Sequence, residues 1–200
     1  MFKVGITGGI GSGKTTVCKL FETLGIPVYY ADTQAKLLMN TDSELKDSLQ
    51  NYFGSGIYND GLLVRHQLAE IIFNDPAALE KVNSWVHPAV ARDFERWCIL
   101  QTSPYVLEEA AIIFESMMSY RFEKVILVTA PDDIRIERVC ARDRVSPEIV
   151  RKRMANQWTE EKKIKLADYI IHNDNVHQIA PQVMEIHEQL LGTLLLRENQ

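Results

Sequence analysis

Residues 5–17 read GITGGIGSGKTTV, and the fold can be worked out from this stretch. Five glycines fall between Gly5 and Gly13, and the run then stops at Lys14-Thr15-Thr16. Glycine is costly wherever backbone must be ordered, so such a cluster marks a place where the chain takes positive φ or passes very close to something. Gly8 to Thr15 satisfies the spacing GxxxxGK[ST]. In that spacing, successive backbone N–H groups form an anion nest at the start of a helix. The flanks agree with it: FKVGIT reads as a strand, and Val17, Leu20, Phe21 and Leu24 recur at helical spacing until Gly25 ends the pattern. In this reading Gly11, Ser12, Gly13, Lys14, Thr15 and Thr16 wrap the phosphates of a nucleotide. Lys14 reaches the β and γ phosphates, and the Thr15 hydroxyl turns to Mg²⁺.

Further short apolar runs bounded by turn signals lie at 27–31, 105–108, 125–129 and 169–171, with helical patterns between them. The alternation predicts an α/β fold, a five-stranded parallel sheet flanked by helices. Residues 33–104 are too many for an ordinary strand-to-helix connection. They are expected to form a helical insertion: Leu45, Leu49 and Tyr52 mark one helix, and Asp75-Pro76 caps and opens another that continues through Leu79, Val82 and Val86. Residues 142–165 have the size of a lid, with Ser146, Pro147 and Glu148 opening a helix. The core is then 1–32, 105–141 and 166–200, closed by a helix whose stripe of Ile179, Val183, Ile186, Leu190 and Leu194 reads as core packing.

Composition narrows the class. An apolar share of 46% and a charged share of 24% suit a globular domain of 200 residues. A net charge of −5 argues against a nucleic-acid partner, because a phosphate backbone is held by clustered Lys and Arg. Three widely spaced cysteines suggest neither a disulfide framework nor a metal knuckle, and a reducing cytoplasm is expected. No signal peptide is read at the amino terminus, and no apolar run approaches the ~20 residues that span a bilayer, so no membrane partner is expected. The histidines lack metal-ligand spacing.

Several residues near the loop suit phosphoryl transfer. Asp32 is expected to end the second strand, at the carboxyl edge where ligands of open α/β sheets collect, and there it could accept or orient a hydroxyl proton. Its bland alternative is a cap for a helix starting near Thr33. At the end of the third strand Glu108 and Glu109 stand where a Mg²⁺-directed carboxylate belongs; strand alternation allows one of them to face the nucleotide without saying which, and Glu109, directly or through water, is taken as the metal candidate. Arg135, Arg138 and Arg142 share one helix face; a solvated stripe is the plain reading, and the functional one is contact with phosphates or stacking on adenine by Arg142 and, less strongly, Arg138. Arg151, Lys152 and Arg153 read as a solvated run. His87-Pro88 reads as a pair that interrupts a helix, and Asp60, Gly61 and Arg65 as a turn followed by an exposed base. No asparagine is followed by lysine, so the NKxD base-reading motif of guanine switches is missing.

Together these stretches resemble the dephospho-CoA kinase family from end to end: the glycine loop, DGLLVR with LAEIIF, VHPAV, IIFE at 112–115, RD at 142–143 and ADYIIHND. The resemblance implies ATP-dependent phosphorylation of the ribose 3′-hydroxyl of dephospho-CoA, the last step of coenzyme A synthesis. It implies Arg65 and His87 as acceptor-binding residues on a CoA-binding insertion, Asp32 as the group beside the acceptor hydroxyl, and Arg142 as a catalytic lid residue. A monomer is expected. Tyr30 departs from the family, standing where the first aspartate of an Asp-Ala-Asp run is common, and Ala111 replaces a usual proline. The alternatives are another small-molecule kinase with the same loop, acting on a nucleoside, nucleotide or shikimate-like hydroxyl, and a non-catalytic nucleotide-driven switch.

Overall fold

The computed structural model describes residues 1–198, except for the side chain of Glu198. In chain order, strand β1 (Phe2–Thr7), helix α1 (Lys14–Thr23) and strand β2 (Val28–Tyr30) come first. Helices α2 (Ala31–Thr41) and α3 (Ser43–Phe53), the short strands β3 (Tyr58–Asn59) and β4 (Leu62–Leu63), and helices α4 (Arg65–Asn74) and α5 (Pro76–Ile99) follow. The chain then makes β5 (Tyr105–Glu109), β6 (Lys124–Thr129), α6 (Asp132–Asp143), α7 (Pro147–Ala155), α8 (Glu160–Ile164), β7 (Tyr169–His172) and α9 (Ile179–Glu198). Two compact units result, Ala31–Leu100 and the remainder of the chain.

The larger unit is built on a sheet in the order β2-β5-β1-β6-β7. Every neighbouring pair is parallel, with Val4 opposite Leu107, Ile6 opposite Ile126, and Leu127 opposite Ile170. These are the five strands that the apolar runs predict. One face packs Val17, Cys18 and Phe21 of α1 and Val183, Ile186 and Leu190 of α9 against Val4, Ile6, Leu107, Ile126 and Ile171. Gly5 sits mid-strand because a Cβ there would stand 2.9 Å from both Ile113 Cδ1 and Phe122 Cδ2. Helices α7 and α8, the lid-sized segment, belong to this unit.

The smaller unit has its own core, including Leu38, Leu45, Leu49, Leu68, Val82, Val86 and Phe94. Two of its helix starts are capped by aspartates, the one at Asp75 as the sequence predicts. Asp42 Oδ1 accepts from Leu45 N at 2.9 Å, and Asp75 Oδ1 accepts from Ala77 N at 2.9 Å and Ala78 N at 3.2 Å. Asp60 at φ 48° and Gly61 at φ 78° make the turn between β3 and β4, and Arg65 lies exposed just beyond.

Three expectations need correction. β2 stops at Tyr30 and α2 begins at Ala31, so Asp32 lies in the first turn of a helix of the smaller unit and not at the end of a strand. The capping alternative fails for the same reason, since the helix starts before it. Pro88 does not interrupt its helix: α5 runs 24 residues through it, its buried face of Val82, Val86, Ala89, Val90 and Phe94 supplying packing that outweighs one lost backbone hydrogen bond.

Candidate active site

Gly8 to Gly13 connect β1 to α1, and the geometry explains each glycine. Gly11 has φ +79° and Gly13 φ +93°, both left-handed. A Cβ on Gly8 would strike the Val128 carbonyl oxygen, one on Gly9 the Arg135 guanidinium, and one on Gly13 the Asn173 side-chain amide. Lys14 is the first residue of α1, where a helix start leaves amide donors without intrahelical partners. Its Nζ donates to Gly8 O at 3.0 Å and lies 3.8 Å from Glu109 Oε1, the two side chains being only 11% and 10% exposed. Thr15 and Thr16 are exposed beside it, and Ser12 Oγ is buried without a hydrogen-bond partner. A loop of amides, one pinned ammonium and an unsatisfied hydroxyl is a fit for polyphosphate.

Alternation along β5 separates the two glutamates. Glu109 faces Lys14, whereas Glu108 pairs with Arg121 at 3.6 Å on the other side of the sheet. Behind the loop, burial pushes the Cys18 thiol well above the usual thiol range, which leaves it inert. Tyr30 donates to Glu22 Oε1 at 3.1 Å, and burial, with Cys18 and Glu22 nearby, raises its phenol above the ordinary value.

The three arginines of α6 have three different environments. Arg142 is exposed and grips Asp143 with two hydrogen bonds of 2.7 and 3.1 Å, while Arg153 reaches the same carboxylate at 2.7 Å. Those contacts hold Asp143 down at about 2, the Arg142 hydrogen bond contributing most. Arg138 donates to Asn173 Oδ1 at 3.2 Å and to Asn175 Oδ1 at 2.7 Å, and its Nη1 is buried with no hydrogen-bond partner, near Gly13. Arg135, which the sequence places on a solvated stripe, is only 7% exposed; it pairs with Asp132 at 2.8 Å and donates from Nε to Ile10 O at 3.0 Å. Helical spacing aligns the three but cannot tell that the loop covers the first.

The structure thus gathers Lys14, Thr15, Glu109 and Arg138 around the loop and leaves Arg142 bound to its neighbour. Asp32 and Arg65, both exposed, and His87, half-buried in α5, lie on the smaller unit. Sequence reasoning missed four supports. Asn173 Nδ2 donates to Ser12 O at 2.8 Å, and Gln157 Oε1 accepts from Ile10 N at 2.8 Å. Glu115 Oε1 accepts from Trp158 N at 3.1 Å and pairs with Lys163 Nζ at 2.6 Å. Asn173 and Glu115 fall inside stretches that carry the resemblance, IIHND and IIFE; Gln157 and Lys163 have no local signal at all.

Comparison with known proteins bears on which kinase this loop serves. The sequence profile of the dephospho-CoA kinase family matches residues 2–178. The chain belongs to the dephospho-CoA kinase family. A dephospho-CoA kinase of Porphyromonas gingivalis is 42% identical over 189 residues, 94% of each chain. Among solved structures, a Thermus thermophilus protein superposes with a TM-score of 0.81 at 32% identity, covering 96% of this chain and 97% of the other. The dephospho-CoA kinase of Campylobacter jejuni superposes at 0.69 with 25% identity, over 94% and 96%. As a dephospho-CoA kinase family member, the chain is a phosphotransferase with a nucleotide-binding loop. No helix among the described residues is long and apolar enough to cross a membrane.

Proposed function

We propose that this chain transfers the γ-phosphoryl group of ATP to the ribose 3′-hydroxyl of dephospho-CoA, giving CoA and ADP. The observation that carries the reading is the Lys14 ammonium held between Gly8 O and Glu109 at the start of α1, in a chain of this family. Gly11 to Thr16 bind the polyphosphate through backbone amides, and Lys14 stabilises charge that develops on the transferring group. Arg138, whose Nη1 has no hydrogen-bond partner among the described residues, would add a donor. Arg142 would leave Asp143 to reach the phosphates from the lid.

Thr15 and Glu109, the latter directly or through water, would hold Mg²⁺; among the described residues no three His, Cys, Asp or Glu side chains gather as a separate metal site. The ion would neutralise phosphate charge during transfer. Asp32 would accept or orient the acceptor's hydroxyl proton, and Arg65 and His87 would bind dephospho-CoA. Since Tyr30 is no carboxylate, Asp32 acts there without a neighbouring aspartate at position 30. We further propose a cytoplasmic monomer without nucleic-acid or membrane partners, supported by the net charge of −5 and the widely spaced cysteines; sedimentation at micromolar concentration tests the monomer.

An acceptor screen tests the function. ADP release that depends on dephospho-CoA is the expected result. Release with a nucleoside or shikimate-like acceptor, or slow hydrolysis without any acceptor, would replace it with the corresponding rival. Asp32→Asn tests the mechanism: both substrates should bind while single-turnover transfer fails, and near-normal transfer would remove Asp32 from the chemistry.

A further inference from the structure

The peptides around Ile10, at the crown of the phosphate loop, are held from two sides. The Ile10 N–H donates to Gln157 Oε1 at 2.8 Å, and the Ile10 carbonyl accepts from Arg135 Nε at 3.0 Å. Gln157 comes from the turn after α7, so a residue of the lid segment reaches the loop directly. Arg135 is fixed in turn by Asp132 at 2.8 Å and is almost wholly buried.

The motif GxxxxGK[ST] leaves positions 9 and 11 open, yet both are glycine here, and Arg135 explains them. A Cβ on Gly9 would meet its guanidinium, and one on Gly11 would lie 2.5 Å from its carbonyl oxygen. Two glycines flanking one residue make this part of the loop conformationally loose, and ordering a residue's backbone costs roughly 1–2 kcal/mol. Hydrogen bonds that fix both peptides of Ile10 meet that cost before a ligand arrives.

We propose that Arg135 and Gln157 are positioning residues of the phosphate loop, a clamp on Ile10 that ties the lid segment to nucleotide affinity. Neither touches the reacting atoms; both act through the shape of the loop. The inference rests on the reading that the loop binds ATP.

Gln157→Leu removes the acceptor at nearly constant volume, and the side chain borders a cavity of about 740 Å³ that accommodates the change. In the full chain the Ile10 amide should lose hydrogen-exchange protection. The ATP dissociation constant by calorimetry and the KM for ATP should rise about three- to tenfold, the usual worth of one such hydrogen bond. The KM for dephospho-CoA and the melting temperature should stay near wild type. Gly9→Ala, which displaces the Arg135 guanidinium from the opposite side, should show the same selectivity for ATP. An unchanged ATP dissociation constant in Gln157→Leu, or equal weakening of both substrates with a fall in melting temperature, overturns the clamp. Failure of the wild-type chain to bind ATP overturns the reading of the site as well, so the two failures are distinguishable.

Discussion

Lys163 offers a measurable test of how the lid segment is tied to the turns that follow β5. Its ammonium is 2% exposed and sits 2.6 Å from Glu115 Oε1, which also accepts the Trp158 amide, while Glu115 Oε2 is buried with no hydrogen-bond partner. Lys163→Met keeps the length of the aliphatic stem and so opens little space, but leaves the Glu115 carboxylate with a single amide donor. Removing one partner of a buried pair costs about 3–5 kcal/mol, because the remaining charge is uncompensated. At about 2–4 °C per kcal/mol for a chain of this size, the melting temperature should fall by about 6–20 °C. Calorimetry at fixed pH and salt measures it. The double variant Glu115→Gln with Lys163→Met removes both charges and keeps the acceptor for Trp158 N, so it should recover most of the loss. A single variant within about 1 kcal/mol of wild type, or a double variant as unstable as the single, would refute the argument that an unpaired buried charge sets the cost.

Lys14→Ala should lower single-turnover transfer on the order of a hundredfold or more with cooperative unfolding retained, since it removes a phosphate-directed charge from the rim of a completed sheet; loss of cooperative unfolding would count against that role. Arg142→Ala should reduce turnover with ATP and leave dephospho-CoA affinity unchanged, and Arg65→Ala should do the reverse, as substrate titrations would show; equal effects on both substrates would contradict the placement. The Asp143 carboxyl should titrate by NMR near 2, and Arg142→Ala should move the midpoint toward 3.8. Because the folded value is depressed, the stabilisation this group gives is present above about pH 4 and is lost as pH falls through about 2.

Much of the sheet could be read from sequence because its strands are buried on both faces and appear as apolar runs, such as KVILVT at 124–129. The loop was equally legible, its motif resting on local backbone requirements. Boundaries were harder: Asp32 follows Tyr30 so closely that a two-residue difference moves it from strand end to helix. The opposite fates of Glu108 and Glu109 follow from alternation, but which one faces Lys14 depends on the pairing of β5 with β1, a long-range fact. Arg135, Gln157 and Lys163 are illegible for the same reason. Each is an ordinary polar residue on a helix or turn, and its role arises from groups more than forty positions away.

The strand order has a consequence for synthesis on the ribosome. β1 is central, and both its neighbours, β5 and β6, come after the helical unit in the chain. At translation rates of about 5–20 residues per second, roughly 5–20 s separate completion of β1 from completion of β5. Through that interval Val4 and Ile6 have no sheet to join, whereas residues 31–100, which are made during it and are complete before β5, can pack by contacts within themselves. The helical unit is therefore expected to fold first on the nascent chain, and the glycine loop to take its shape only after the sheet closes around β1. A slow or stalled ribosome before residue 105 would leave an apolar strand waiting, and chaperone demand should peak there.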